Sequence, residues 1–369
     1  FRLFDLIFSE CNSETLGKAK SIKQKIEELR KVGLRVITRV NPFRRKALLR
    51  LQYKSSIRPG STEYYDIAHE FNENLKEWNR SVMVFENDSE EFMLTKVRTR
   101  FTDQKKMEYN NAKALGIVNE LLKRHKEAIF FTLTLPPIFP LVIPVEKKGK
   151  VIGFIPLQDS IITQLKKNMD AWLRRTWKGR KIESYVGYEY HGDYRLHIHV
   201  IIGGIPYLID WKRKFGRKKE DALTYYSRKY GIEIKTKKKT KVSKYIITAL
   251  VDKWLQEILV RFSSALGMNL LEPYLAYKEE KGLQGIVNFV EGIKDRKWKG
   301  KPPKDAFFFY TSGACYRKEV SPDRYITKYI TKVLDRIKNG GLEGEESPKL
   351  LGYWLFGKRF NSYSRSLLK

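Results

Sequence analysis

The sequence predicts an α+β fold: a central antiparallel sheet with helices on one side, preceded by a basic, largely helical N-terminal region. Three observations carry this reading. Ile182–Tyr190 and Arg195–Ile202 both alternate as strands do, and the residues between them, His191, Gly192, Asp193 and Tyr194, suit a tight turn. Around that hairpin the elements run strand, helix, strand, strand, helix, strand, helix. This mixed order favours antiparallel neighbours over the repeating units of a doubly wound parallel sheet. Finally, 42% of the 369 residues are hydrophobic and 13% aromatic, enough to build the cores of two or three domains.

Residues 1–103 are basic and irregular in pattern. Ser21–Val32 reads as a helix with Ser21 as its cap, Leu34–Arg39 as a strand and Tyr64–Trp78 as a second helix. Gln104–Lys126 carries Ala114, Ile117, Val118, Leu121 and Leu122 at helical spacing and leads into the strand Ala128–Leu135. On that strand Thr132 and Thr134 share one face and the apolar residues the other. The chain stays apolar to Val145, about 18 residues, barely a bilayer's span. Pro136, Pro137, Pro140 and Pro144 break any helix there. The segment therefore reads as a buried strand followed by an apolar loop or hairpin. Membrane contact through Ile138, Phe139, Leu141, Val142 and Ile143 is the minor alternative.

Asp159–Lys178 follows as a helix with Ile161, Ile162, Leu165, Met169 and Trp172 on one face. After the hairpin, Val242–Leu266 is an amphipathic helix, and Gly285–Val290 and Ala306–Thr311 are strands. Pro322–Ile337 is a helix with Ser321 as N-cap and Pro322 in its first turn, ended by Gly340, Gly341 and Gly344. The tail Tyr353–Ser366 is aromatic and basic.

Lys and Arg number 73 against 42 Asp and Glu, a net charge of +31. Such a surplus repels itself and is normally held by an acidic partner, nucleic acid first and an anionic membrane second. Over a third of it falls in residues 211–244, where 14 Lys and Arg meet 3 Asp and Glu. There Lys212, Arg213, Lys214, Arg217, Lys218, Lys219, Lys237, Lys238 and Lys239 are candidate contacts to a nucleic-acid backbone, with Tyr225 and Tyr226 to stack on bases. Lys358 and Arg359 add to this set from the tail. Two cysteines, Cys11 and Cys315, exclude a disulfide framework and a multi-cysteine zinc site. They suggest a reducing, cytoplasmic setting. No signal peptide is visible, and the start at Phe1 suggests a piece of a longer chain. The scarcity of glutamine among so many lysines suggests a thermophilic source.

Three of the five histidines lie between residues 191 and 199. His197 and His199, two apart on a strand, share a face, while Leu196, Ile198 and Val200 face the core. If the turn is centred near Asp193, Glu189 lies opposite His197, with Cβ atoms about 5 Å apart. One carboxylate and two imidazoles suit a divalent ion, Mn²⁺ or Mg²⁺, with sites left for phosphate oxygens. His191 reads as a turn residue. Further on, Tyr325 and Tyr329 are four apart and share a helix face, with Lys328 and Lys332 in a parallel row. Two phenols there could meet one phosphate, and the lysines would counter its charge and lower a phenol's pKa. Taken singly, each pattern is commonplace: a histidine pair on a half-exposed strand, or a helix with half-buried tyrosines.

Together they form a sequence of motifs. "FTLTL" at Phe131–Leu135 comes first, then "HIH" at His197–His199, then "YITKYITK" at Tyr325–Lys332. In order and type these resemble the HUH endonuclease superfamily, the rolling-circle replication initiators and their transposase and relaxase relatives. The tyrosine pair and the tail "YWLFGKRFNSYSRS" are most similar to archaeal plasmid initiators. The resemblance spans roughly residues 128–366. The gap between His199 and Tyr325 is long for a minimal nuclease, which implies insertions, and the apolar, proline-rich segment 136–157 is unusual. The division it suggests is an accessory basic region 1–103, for DNA binding or regulation, and an endonuclease domain 104–338 with insertions at 136–157 and 205–283. An aromatic and basic extension, 339–369, completes the chain.

The resemblance implies a sheet of the RRM or ferredoxin-like kind and one metal on Glu189, His197 and His199. It implies a nicking and closing reaction on single-stranded DNA through a 5′-phosphotyrosine, starting rolling-circle replication of a plasmid or virus. Tyr329, which precedes "xxK" as in single-tyrosine relatives, would attack first, with Tyr325 as its partner. Single-stranded or supercoiled origin DNA is the implied substrate, with no small molecule. No G-x-x-x-x-G-K-[ST] loop is present, so a host helicase and polymerase are expected partners. An HUH transposase is a rival reading. Relaxases usually place their tyrosine before the histidine strand and use three histidines, the reverse of the order here. A non-catalytic RNA-binding sheet is the rival from another class, but such sheets carry aromatics on central strands where this one carries histidines.

Overall fold

A computed structural model of the chain describes residues 23–38, 40, 42–52, isolated positions between 66 and 77, 82–86, 92–96, 103–125, 127–176, 179, 181–190, 195–204, 217–233, 242–281, 287–288, 308–310, 347–359 and 361–368. Helix α1 (23–31) and helix α2 (Pro42–Gln52) come first, then the hairpin β1 (Val82–Glu86) and β2 (Phe92–Lys96). Next are α3 (Gln104–Arg124), β3 (Glu127–Thr134), the hairpin β4 (Val142–Lys147) and β5 (Lys150–Pro156), and α4 (Leu157–Thr176). The centre of the chain is the strand pair β6 (Glu183–Tyr190) and β7 (Leu196–Gly203). It is followed by α5 (Ala222–Tyr230), α6 (Val242–Leu266) and α7 (Leu271–Glu280). Two short strands, β8 (Val287–Asn288) and β9 (Phe308–Tyr310), helix α8 (Ser347–Phe356), β10 (Asn361–Tyr363) and a 3₁₀ turn at Arg365–Leu368 close the list.

The principal sheet has the order β10-β6-β7-β3, with β8 and β9 sharing the far side of β3. Every pairing is antiparallel except β3 with β9. The α+β class and the antiparallel centre are thus as expected. The hairpin ends lie within one residue of the expected ones.

The sheet separates two apolar layers. Leu196, Ile198, Val200 and Ile202 face α4 and α6, where Ile161, Ile162, Leu165, Met169, Leu255, Leu259 and Phe262 form the main core. Tyr185 and Ile201 face the other way and pack with Ala114, Ile117, Val118, Leu121 and Leu122 of α3 and with Leu367. Helices therefore flank both faces, a correction to the expected one-sided layer. The apolar stripe of α3 is long enough to need a sheet face of its own, and β3 leaves that helix within a few residues. The residues next along the same face beyond Tyr185 and Ile201 are Gly187, Glu189, His199 and His197.

Within the segment 136–157, residues 142–156 form the hairpin β4–β5. Lys148 and Gly149 both take positive φ, 49° and 71°, the twist a two-residue turn needs to match its strands. Of the expected strand Leu34–Arg39, the described residues 34–38 contribute a bridge, Ile37 to Phe154, with N–H···O distances of 2.8 and 3.0 Å. A Cβ on Gly153 would meet the Ile37 carbonyl oxygen at 3.1 Å, so glycine permits that approach. Leu29, Leu34, Ala47, Leu48 and Leu51 join the main core. Residues 23–52 thus share the packing of the region after 103.

The C-terminal segment is fastened to this core. The hydroxyl of Tyr353 donates to the Tyr188 carbonyl. A Cβ on Gly352 would fall 2.5 Å from the Tyr190 ring, so only glycine lets α8 lie on β6. No helix among the described residues is long and apolar enough to cross a membrane.

Candidate metal centre

The register of β6 and β7 sets Glu189 opposite His197 and Gly187 opposite His199. The expected pairing of Glu189 with His197 is therefore present. Alternation then puts Glu189, His197 and His199 on one face. Their tips converge. His197 Nε2 lies 2.9 Å from Glu189 Oε2, His199 Nε2 lies 3.0 Å from the same oxygen, and the two nitrogens are 3.0 Å apart. The imidazoles meet edge to face, with centroids 4.7 Å apart and planes at 83°. All three residues are buried, at 9%, 5% and 8% exposure.

Burial pushes the Glu189 carboxyl up, but hydrogen bonds from His197 and His199 and their positive charge outweigh it, holding the group well below the usual carboxylate range. It is thus an anion at neutral pH, the state a ligand requires. The three groups can hold one metal ion. A buried carboxylate with two convergent imidazole nitrogens is a donor set suited to a divalent cation.

A fourth residue belongs to the site. Thr132 Oγ1 is 2.9 Å from His199 Nδ1, because β3 pairs Thr132 with His199 directly across the sheet. The alternation of "FTLTL" shows which face Thr132 takes. Its partner depends on which strand lies beside β3, and no local pattern carries that.

The expected DNA contacts divide three ways. Arg217, Lys218 and Lys219 are exposed in the turn before α5, and Arg359 is exposed after α8. Two of these candidates are turned inward. Tyr226 is 5% exposed and stacks on Tyr230, with centroids 5.8 Å apart and planes at 9°. It is a core residue, because α5 buries an aromatic side against α6. Tyr225 remains half-buried, with the Lys229 ammonium 5.4 Å from its ring centre. Lys358 is also committed to the interior. Its Nζ lies 2.6 Å from Asp159 Oδ1, 3.0 Å from Thr163 Oγ1 and 4.5 Å from the centre of the Tyr188 ring. Burial pulls the ammonium's pKa down, against the opposing pull of Asp159. In this arrangement the ammonium faces Asp159 rather than solvent. Lys212, Arg213, Lys214, Lys237, Lys238, Lys239, Tyr325, Lys328, Tyr329, Lys332, His191 and Cys315 lie outside the described residues.

No protein-family model, curated protein or solved structure matches the chain.

Proposed function

We propose that this protein is a metal-dependent tyrosine nuclease of the HUH type, which nicks and rejoins single-stranded DNA to start rolling-circle replication. The observation that carries the reading is the triangle of Glu189, His197 and His199, with edges of 2.9–3.0 Å. One carboxylate and two imidazoles form a donor set that would suit a divalent ion such as Mn²⁺ or Mg²⁺.

When bound, the ion supplies Lewis-acid polarisation of the scissile phosphate. The remaining work falls to the chain. Glu189, His197 and His199 would hold the ion with ligand atoms that already converge. The Tyr329 phenolate oxygen attacks phosphorus, an O–P bond forms and the P–O3′ bond breaks. The DNA 5′ end is left on the protein and a 3′-OH is free to prime a polymerase. Lys328 and Lys332 counter the phosphate charge and favour the phenolate. Tyr325, or the freed 3′-OH, reverses the step. The phosphotyrosine retains the energy of the phosphodiester, so resealing needs no nucleotide triphosphate. Arg217, Lys218 and Lys219 contribute to holding the DNA backbone.

The test is a supercoiled plasmid or an oligonucleotide carrying the origin, incubated with protein and Mn²⁺. A protein–DNA adduct that survives boiling in detergent is expected. Cleavage that leaves only free 5′-phosphate ends, or nicking that persists in excess EDTA, overturns the proposal.

A further inference from the structure

We infer that Thr132 is a positioning residue which keeps His199 Nδ1 hydrogen-bonded in either tautomer and so holds Nε2 toward the cation; this rests on the metal centre proposed above. Thr132 Oγ1 and His199 Nδ1 are 2.9 Å apart, and both side chains are buried. The contact is built into the sheet, since Thr132 and His199 are direct partners in the β3–β7 register.

A neutral imidazole carries one proton on one of two nitrogens. With the proton on Nδ1, His199 donates to Thr132 Oγ1, and Nε2 turns a lone pair toward the point shared with Glu189 Oε2 and His197 Nε2, 3.0 Å from each. With the proton on Nε2, that nitrogen donates to Glu189 and cannot ligate. Nδ1 then accepts from the Thr132 hydroxyl. A hydroxyl serves both arrangements because it donates and accepts. A carbonyl would serve only the first, and an aliphatic side chain neither. Thr132 thus lets His199 change tautomer on metal loading with Nδ1 hydrogen-bonded in both states. The same bond limits rotation of the ring and keeps Nε2 on the shared point.

Two substitutions separate the hydroxyl from the packing. Thr132→Val keeps the branched shape and removes the hydroxyl, while Thr132→Ser keeps the hydroxyl and removes a methyl. The probe is Mn²⁺ alone, titrated by calorimetry into EDTA-stripped full-length protein. Stoichiometry reports the folded fraction, and the dissociation constant reports the ligand geometry. Thr132→Val is expected to bind Mn²⁺ about 10–100-fold more weakly, with Thr132→Ser within about threefold of wild type. The ¹⁵N shifts of the His199 ring in the metal-free protein should also change in Thr132→Val and not in Thr132→Ser. Equal affinity of wild type and Thr132→Val overturns the role of Thr132 and leaves the metal centre standing. Equal losses in both variants overturn it too, since packing would then be responsible. A wild-type protein that takes up no Mn²⁺ overturns the metal centre and this inference with it.

Discussion

His197 and His199 point into one buried corner with Glu189 because β7 alternates and β6 pairs with it in one register. Their replacement therefore removes ligands from a preformed site. His197→Ala combined with His199→Ala is expected to abolish nicking and leave DNA affinity within about threefold, because the proposed backbone contacts lie elsewhere. A filter-binding assay beside the cleavage assay checks this, and retained nicking contradicts it. Glu189 also predicts a pH effect in the metal-free protein. Its folded pKa lies below the ordinary carboxyl value of about 4.5, so its stabilising contribution is complete above that value and is lost as pH falls toward the folded pKa. Thermal melts in EDTA between about pH 5 and pH 2.5 should show wild type losing more stability than Glu189→Gln. Equal losses would show that the carboxylate is not held by the imidazoles.

Helix α4 illustrates how one element is locked from several sides. Asp159, in its first turn, lies 3.1 Å from Arg35 Nη1 and 2.6 Å from Lys358 Nζ. The carboxylate is 2% exposed and the Lys358 side chain 11%, so removal of one partner strands a buried charge. Asp159→Ala should cost about 3–5 kcal/mol in denaturant unfolding, whereas Asp159→Leu together with Lys358→Met should cost much less. Lys358→Met should leave the salt dependence of DNA binding unchanged, since its ammonium faces Asp159 and not solvent. A flatter salt slope in that variant would return Lys358 to the DNA surface.

At the scale of the whole molecule the excess charge of +31 would govern binding to the proposed DNA partner. The basic block 211–244 cannot simply be deleted, because Tyr226 and Ile232 within it belong to the main core. Charge must be removed from its surface instead. Replacing the exposed Arg217, Lys218 and Lys219 with glutamine should flatten the slope of log affinity against log salt by about 2 for single strands, at about 0.7 per phosphate contact. Cleavage of a short, saturating oligonucleotide should persist. Binding measured at several salt concentrations decides it, and an unchanged slope moves the DNA path away from this turn.

The strands β6 and β7, the helices α3, α4 and α6 and the shared face of Glu189, His197 and His199 were all legible in the sequence. Each depends on local rules: period 2 in strands, period 3.6 in helices, and a hairpin whose turn sets its register. What only the tertiary structure decided lies between elements distant in sequence. Thr132 meets His199 because β3 lies beside β7, and α3 shares the histidine face because its apolar stripe must be covered. Tyr226 and Lys358 read as surface residues in a basic setting. A stacked ring and a buried carboxylate, supplied by other elements, take them inside. Composition reports how much charge a chain carries, and packing determines which of those charges reach solvent.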